Sequence, residues 1–307
     1  MMRKLLNLCG MALIAATLFF PASVDAAGKN VCETLKPSKT YQYNLDQKGK
    51  KESIKVNISK KEYEKNYDTL YDVSTTVTVN GKKIYNKILK KQDSDQNHVK
   101  VMVTDVNKKD KQMELLIIEG DIDIFEERKS AWVADMEHIY YYQYANGKAK
   151  RKQDLAPLFK KNFKKIHFLH GMKDKSFLTI SGKSEIYARI CTEVQKGKYM
   201  EDCLHVKTGL TLKNGKFLLL SSKSYAVLDV GGKWDDPVKA KKNLTAYTKM
   251  GGKKKAFIMK KGERIPAGSQ YCMKNKKVYL KIKNKKGKWG YIELKEGIFF
   301  FDGVMHA

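Results

Sequence analysis

The hexapeptide Ser53-Ile54-Lys55-Val56-Asn57-Ile58 alternates polar and apolar residues, and this two-residue period decides the fold class. Successive side chains of a β-strand point to opposite faces of a sheet, so strict alternation predicts a strand with one buried face. The same alternation recurs in residues 75–79 and 278–282, and Leu115 to Ile118 is a short continuous apolar run. Such segments, bounded by Gly, Asn, Asp and Lys turns, predict an all-β, mostly antiparallel protein.

Helical periodicity is nearly absent from the chain. Only two segments, Lys61 to Asp68 and Leu155 to Lys164, are candidates for helices. We therefore expect the strands to form the architecture, with helix confined to connections.

A repeated pattern of turns and loops runs through the first two thirds of the chain. Asn-Gly-Lys occurs at positions 80–82, 146–148 and 214–216, with spacings of 66 and 68 residues. Asn-Gly is the strongest short signal for a β-hairpin because both residues accept a positive φ. Two polar loops, 44–52 and 105–114, also lead into strands 61 residues apart. A period of about 65 residues predicts blade-like β units, and chance recurrence of common turn residues is the alternative.

These loops resemble the FG-GAP/VCBS-type repeats of β-propellers, whose acidic loop precedes a strand and often binds calcium. The resemblance covers residues 40–228 and implies a divergent propeller-like or curved antiparallel β domain over residues 38–230. The calcium candidates that it implies are Asn44, Asp46, Glu52, Asp105, Asn107, Asp110 and Glu114. Lys48 and Lys109 interrupt the two ligand sets, and an ammonium group removes both a ligand and the attraction for a cation. We therefore expect no cofactor, with Asp46 and Asp105 bonding their own turn backbones.

After a linker predicted at residues 231–243, short and closely spaced strands resemble a bacterial SH3-like domain over residues 244–300. The resemblance rests on Ala246-Tyr247-Thr248, the Lys261-Gly262-Glu263 turn, the 278–282 strand and Gly287-Lys288-Trp289-Gly290-Tyr291-Ile292. It implies a small barrel that engages cell-wall peptide or glycan. The ligand-binding candidates are Tyr247, Tyr271, Tyr279, Trp289 and Tyr291, and the alternative is that Trp289 or Tyr291 belongs to the core.

The N-terminus has the pattern of a secretory signal. Arg3 and Lys4 precede the apolar run Leu5 to Phe20, and Val24-Asp25-Ala26 supplies the small residues of a cleavage site. We predict a signal peptide at residues 1–26, a leader at 27–37 and no membrane span after cleavage. The expected location is secreted or attached to the cell wall.

The charge of the chain favours anionic partners. It carries 61 Lys and Arg against 33 Asp and Glu, a net charge of +28, and only five of the basic residues are arginine. An exported, lysine-coated surface suits peptidoglycan or anionic wall polymers, whereas scarce arginine argues against specific nucleic-acid recognition. The alternative is that the lysines only solubilise the protein and protect its sheet edges.

Cysteine placement allows a local disulfide. Cys191 and Cys203 flank residues 192–202, which have the composition of a hairpin loop. An exported protein permits disulfides, and free buried thiols are the alternative.

The sequence contains no catalytic motif that we recognise. It lacks HExxH, GxSxG, Walker and GxGxxG patterns, and we name no catalytic residue. We expect an exported, non-enzymatic binding protein of a Gram-positive bacterium. A wall hydrolase or peptidase with an unrecognised site, or a structural surface protein, are the alternatives.

Overall fold

The computed structural model describes residues 32–301 apart from 47, 66–67, 93–97, 108, 111, 122–123, 126–129, 132, 162, 164–165, 170–177, 182–183, 194–202, 221, 229–237 and 296–298. The predicted signal peptide and most of the leader lie outside these residues. The described part is all-β, as predicted, with 24 strands and one five-residue helix. No helix in it is long and apolar enough to cross a membrane.

The described elements, in chain order, are β1 (Cys32–Thr34), β2 (Thr40–Tyr43), β3 (Glu52–Lys65), β4 (Asp68–Val79), β5 (Lys82–Gln92), β6 (Val99–Thr104), β7 (Glu114–Asp121), β8 (Ile124–Phe125), β9 (Ser130–Ala131), β10 (Val133–Ala145), β11 (Lys148–Asp154), α1 (Ala156–Lys160), β12 (Ile166–Leu169), β13 (Leu178–Ser181), β14 (Glu185–Glu193), β15 (Cys203–Lys213), β16 (Lys216–Leu219), β17 (Tyr225–Ala226), β18 (Val238–Ala240), β19 (Leu244–Tyr247), β20 (Lys255–Met259), β21 (Gln270–Lys274), β22 (Lys277–Lys283), β23 (Trp289–Glu293) and β24 (Phe299–Phe301).

Strands β2 to β5 form a four-stranded antiparallel meander. The alternating residues predicted to be a strand lie in β3, which pairs with β4 over twelve positions from Ile54–Val79 to Lys65–Asp68. The helix predicted from Lys61 to Asp68 is therefore wrong. Pairs such as Lys61 with Asp72 continue the ladder through this segment, so sheet pairing overrides its weak helical propensity.

The central layer consists of β6, β7 and β10, and both of its faces are buried. Val101 and Ile117 point to one face and pack with Ile54 and Val77 of the four-stranded sheet. The intervening residues point to the opposite face and join a second core. The continuous apolar run Leu115 to Ile118 is β7 itself, which has no solvent-exposed face to alternate with.

The second core forms because the ten-stranded sheet folds back over this layer. The sheet runs in the order β1-β6-β7-β10-β12-β14-β15-β16, with β11 beside β10 and β13 beside β14. Tyr141 of β10 meets Phe217 of β16 edge to face, with ring centroids 5.0 Å apart. The Gln153 amide of β11 bridges to the same strand, donating to the Phe217 carbonyl at 2.8 Å and accepting from its N–H at 2.9 Å. This side chain joins two strands that share no ladder among the described residues.

Polar side chains also connect the four-stranded sheet to the central layer. Glu119 of β7 is buried, and it accepts hydrogen bonds from the Tyr85 hydroxyl and the Lys87 ammonium, both at 2.8 Å. The Asn80 amide donates to the Tyr144 hydroxyl at 2.8 Å. Burial and the Glu119 carboxylate raise the pKa of the Tyr85 hydroxyl, so that it stays a donor.

Helix α1 is shorter than the predicted segment from Leu155 to Lys164. Asp154 accepts the Ala156 N–H, and Pro157 lies in the first turn, where its missing N–H costs no hydrogen bond. After Lys160 the chain turns Phe163 into the core, with its ring 5.0 Å from that of Tyr225.

The three predicted Asn-Gly hairpins are confirmed. They connect β4 to β5, β10 to β11 and β15 to β16, and every Asn and Gly of the three turns has a positive φ. The strands they connect nevertheless join a meander and one continuous sheet. We predicted either a propeller-like or a curved antiparallel β domain, and this arrangement corresponds to the antiparallel domain. The described strands do not form separate blades.

The region predicted to be SH3-like forms a six-stranded sheet in the order β17-β21-β22-β23-β19-β20. No ladder closes this sheet, or any other described sheet, into a barrel. Strand β17 precedes the predicted linker, yet Tyr225 pairs with Tyr271. One continuous core includes Tyr225, Tyr271 and Leu280, so packing crosses the expected division at residues 231–243. Within that division, Val238–Ala240 is a strand paired with β24.

We predict that Gln153→Leu destabilises the protein by about 1–3 kcal/mol. The substitution leaves the N–H and carbonyl of Phe217, a fully buried residue, without partners. Chemical denaturation measures the change. Gln92→Leu is the matched control, since its amide bonds only the nearby Lys90 carbonyl at an exposed position. Equal effects of the two substitutions would show that the bridge contributes nothing.

Candidate functional site

Four of the five predicted ligand-binding residues lie on one face of the six-stranded sheet. Tyr291 pairs directly with Tyr247 of β19 and with Lys281 of β22, and Trp289 pairs with Lys283. Directly opposed residues of a ladder share a face. We call the set Tyr247, Lys281, Lys283, Trp289 and Tyr291 the aromatic–lysine face.

Trp289 is the most exposed aromatic ring of this face. It is 40% exposed, with the Lys281 ammonium 4.7 Å and the Lys283 ammonium 5.7 Å from the ring centroid. An ammonium over an indole face is attracted by the ring quadrupole. The result is an exposed indole with two positive charges held against it.

Gly290 allows this face to form. A Cβ atom at Gly290 would lie 2.7 Å from the Cβ of Ala246 and 2.8 Å from Cε1 of Phe257. Distances this short are a clash, so only glycine lets β23 approach β19 and β20 this closely. The Trp289-Gly290-Tyr291 motif thus places two aromatic residues outward around a buried glycine.

Tyr271 and Tyr279 are buried residues. Tyr271 is 0% exposed and its ring lies 5.4 Å from that of Phe163, in the core on the opposite side of the sheet. Tyr279 shares the aromatic–lysine face, but it is covered by the turn at Gly251, where a Cβ atom would lie 3.5 Å from the Tyr279 hydroxyl. The three residues that remain accessible are Tyr247, Trp289 and Tyr291.

The first predicted calcium loop is held by hydrogen bonds within the protein. The buried Glu52 accepts the Leu45 N–H at 2.8 Å, and Asp46 accepts the Lys48 N–H at 2.8 Å. Burial raises the pKa of Glu52 above its ordinary value. Asp46 therefore bonds its own turn, as predicted.

The second loop contains the same type of hydrogen bond. Glu114 accepts the Val106 N–H at 2.8 Å, as Glu52 does for Leu45. Asp110 accepts the Gln112 N–H at 3.1 Å and also bonds the Asn107 amide. The loops adjoin, because the Met113 N–H donates to the Asn44 carbonyl at 2.8 Å. In both loops, the glutamate that begins the following strand thus accepts one loop N–H.

The carboxyl group of Glu114 is strongly desolvated. Burial, with smaller contributions from Asp110 and Asp105, raises its pKa to about 8. Desolvation disfavours the charged form of a carboxyl group, which accounts for the direction of this shift. Across the described residues, no group of three or more His, Cys, Asp or Glu side chains is arranged to hold a metal.

The candidate disulfide stays a prediction. The register pairs Cys191 with His205 and Glu193 with Cys203, so the two cysteines are diagonal on neighbouring strands. Diagonal positions lie about 7–8 Å apart, whereas disulfides usually join Cα atoms about 4.4–6.8 Å apart. A bridge therefore requires a local shift. Of the cysteines that the structure describes, Cys272 is a buried free thiol.

A polar groove beside the second loop was not predicted from the sequence. It consists of two adjoining pockets, each of about 290 Å³, that share Gln143. One pocket is lined by the loop and by the β15–β16 turn, the other by Lys148, Lys150 and Lys152 of β11. The sequence signal available for this groove was lysine at every second position after an Asn-Gly turn. No local sequence pattern predicts that the second loop packs beside Gln143.

His138 and Asp154 form a second group that the sequence analysis missed. Their Nδ1 and Oδ2 atoms lie 2.6 Å apart, and the same carboxylate accepts the Ile139 and Ala156 N–H groups. A carboxylate that orients a histidine is one part of a hydrolytic site. Through the Ala156 N–H, the Asp154 carboxylate also holds the first turn of α1.

The comparisons with known proteins found no match among family models, curated proteins or solved structures.

We predict opposite outcomes for two aromatic truncations in the six-stranded sheet. Tyr271→Ala should lower the free energy of unfolding by about 3–5 kcal/mol, since it empties a buried site. Trp289→Ala should change stability by less than about 1 kcal/mol, because the ring is partly exposed. Urea denaturation of both variants measures the two changes in the free energy of unfolding and shows whether each ring lies in the core or at the surface. A large loss for Trp289→Ala would place that ring in the core.

We predict that Glu114 makes the protein less stable as the pH rises. With a pKa raised from 4.5 to about 8, the folded state binds this proton more tightly than the unfolded state does. The free energy of unfolding should therefore fall through this pH window and level off above it. Glu114→Gln keeps an oxygen for the Val106 N–H and removes the charge, so it should abolish the decline.

Denaturation at acid and alkaline pH measures this effect. Above the folded pKa the variant should be more stable than the parent by up to several kcal/mol, at about 1.4 kcal/mol per pKa unit. Glu62→Gln, at an exposed position of β3, is the control and should follow the parent. Parallel curves for Glu114→Gln and the parent would refute the raised pKa.

Proposed function

We propose that this chain is an exported, non-enzymatic protein that binds an anionic polymer of the bacterial cell wall through its aromatic–lysine face. The observation that carries the proposal is the exposed Trp289 ring with Lys281 and Lys283 against it. A tryptophan side chain offers a large apolar ring and an indole N–H donor together, and this combination is enriched at binding surfaces.

The chemistry of this face suits a polymer of sugars or polyols that carries negative charge. Flat aromatic faces contact the apolar C–H surface of a sugar or polyol at a low cost in side-chain entropy. The ammonium groups of Lys281 and Lys283 can pair with phosphate or carboxylate groups spaced along the chain. A ligand with only one of these properties would use only half of the face.

The surroundings of the face add positive charge. The turn that leads into Trp289 carries Lys285, Lys286 and Lys288, all exposed, and Lys253 and Lys254 are exposed on the loop beside Tyr279. Clustered charge attracts a polyanion from a distance and loses effect as salt screens it. The aromatic rings then account for the part of the binding affinity that remains at high salt concentration.

Binding of the mature protein to a purified glycerol phosphate polymer of the wall teichoic acid type tests the proposal. Trp289→Ala should weaken binding about thirtyfold, the loss typical of an aromatic residue that contributes strongly to an interface. Lys281→Gln with Lys283→Gln should also weaken binding and should reduce its dependence on salt.

The matched control is Lys82→Gln with Lys83→Gln, which removes the same charge from an exposed turn of the four-stranded sheet. It should leave binding within about twofold of the parent at 0.15 M salt, where the Debye length is about 8 Å. If both double variants bind equally weakly, the attraction is diffuse charge and the proposed face has no special role. Uncharged dextran, which can contact only the aromatic rings, should bind more weakly than the glycerol phosphate polymer and without dependence on salt.

A further inference from the structure

The groove around Gln143 lies on a different sheet from the aromatic–lysine face and has acidic and basic walls. One pocket contains Asp110 and Glu114, and the other contains Lys148, Lys150 and Lys152. Gln143 lies between the two walls and lines both pockets. In a chain with a net charge of +28, an enclosed pair of carboxyl groups is an uncommon environment.

The acidic wall is built into the fold. Glu114 is only 2% exposed, yet it lines the pocket. Its Oε2 accepts the Val106 N–H at 2.8 Å. Asn107 is fixed in turn by the Ser184 hydroxyl at 3.0 Å, and by its bond to Asp110. Two carboxyl groups, those of Asp110 and Glu114, thus form this wall of the groove.

The strand register places the opposite charges in one row. Pairing of β7 with β10 aligns Leu115 with Tyr142, and pairing of β10 with β11 aligns Gln143 with Lys150. Continuing the first register by one position sets Glu114, Gln143 and Lys150 side by side across three strands. Neighbouring strands are about 4.8 Å apart, so the backbones of Glu114 and Lys150, which carry the two walls, are about 10 Å apart.

The roof of the groove is the Asn214-Gly215 turn. Gly215 has a φ of +69°, and a Cβ atom there would lie 3.4 Å from the Gln143 amide nitrogen. The turn therefore packs closely against Gln143, so that even a Cβ atom at position 215 would contact the Gln143 amide. The Gln143 amide offers a donor and an acceptor at the middle of the groove, where a peptide group has the complementary pair.

We propose that the Gln143 groove binds a short peptide with free termini. The peptide's ammonium lies against Glu114 and Asp110, its central amide contacts Gln143, and its carboxylate pairs with Lys150 and its neighbouring lysines. An extended chain spans at most about 3.3–3.6 Å per residue, so three residues cover the separation of about 10 Å. Longer peptides would leave one terminus unpaired.

Binding of the peptide should change the protonation of Glu114, which can be measured. The groups that face Glu114 are Asp110, Asp105 and Tyr141 on its acidic side and the lysines across the groove. With a pKa of about 8, Glu114 is mostly protonated at neutral pH. An ammonium placed beside it favours the carboxylate, so binding should release a proton and should tighten as the pH rises toward 8.

Calorimetric titration of the full mature protein with trialanine tests the proposal. Matched probes are N-acetyl-trialanine, which lacks the ammonium, and trialanine amide, which lacks the carboxylate. Each should bind at least about tenfold more weakly, the loss expected for one charge-assisted hydrogen bond. Titrations in buffers with different ionisation enthalpies should show the proton release with trialanine and with trialanine amide, and not with N-acetyl-trialanine, which lacks the ammonium.

Two substitutions locate the site. Glu114→Gln should abolish the preference for trialanine over the acetylated probe and also the proton release. Lys150→Gln should reduce the preference over the amide, since Lys148 and Lys152 remain in the pocket. Lys83→Gln is the charge-matched control and should bind like the parent. The proposal is overturned if trialanine shows no binding at millimolar concentration, if all three probes bind equally, or if Glu114→Gln leaves the preference intact. None of these outcomes bears on the aromatic–lysine face, which a wall-polymer titration tests separately.

Discussion

The structure depends on the burial of both faces of the layer formed by β6, β7 and β10. Leu115 and Ile117 are covered by the four-stranded sheet, and Leu116 and Ile118 by the folded-back half of the ten-stranded sheet. A layer without a solvent face cannot fold alone, since each of its apolar faces needs a partner. Both coverings are therefore required together, and the Gln153 bridge secures the second at the strand edge where no ladder closes it.

The same constraint explains the buried acids. Glu52 and Glu114 begin strands whose preceding loops must bend sharply into the core, and each carboxyl satisfies one buried backbone N–H. An unpaired buried N–H would cost about 1–3 kcal/mol. In Glu114 the carboxyl group is desolvated enough to raise its pKa to about 8. The burial of Glu114 that holds the 105–114 loop therefore also raises the pKa of this carboxyl group at the edge of the groove.

Local signals predicted the local structure and missed what depends on distant contacts. Alternation in residues 53–58 and the three Asn-Gly turns determine strands and hairpins because each signal acts within a few residues. The helix expected at 61–68 was wrong because pairing with β4 decided that segment. Tyr271 and Trp289 are both aromatic strand residues, and only the packing of Phe163 and Tyr225 onto the sheet distinguishes core from surface. The groove around Gln143 joins residues about 100 positions apart in sequence, from Asn107 to Gly215, for which no local pattern exists.

The central functional claim is that recognition is confined to one face of the six-stranded sheet, although lysines cover the whole chain. Amide-resolved NMR titration of residues 27–307 with the glycerol phosphate polymer tests it most directly, because it reports every surface at once. The account predicts that shift changes at physiological salt concentrate in β19, β22 and β23 and include the Trp289 indole N–H. Changes spread evenly over exposed lysines on all sheets, with the Trp289 indole unmoved, would contradict it.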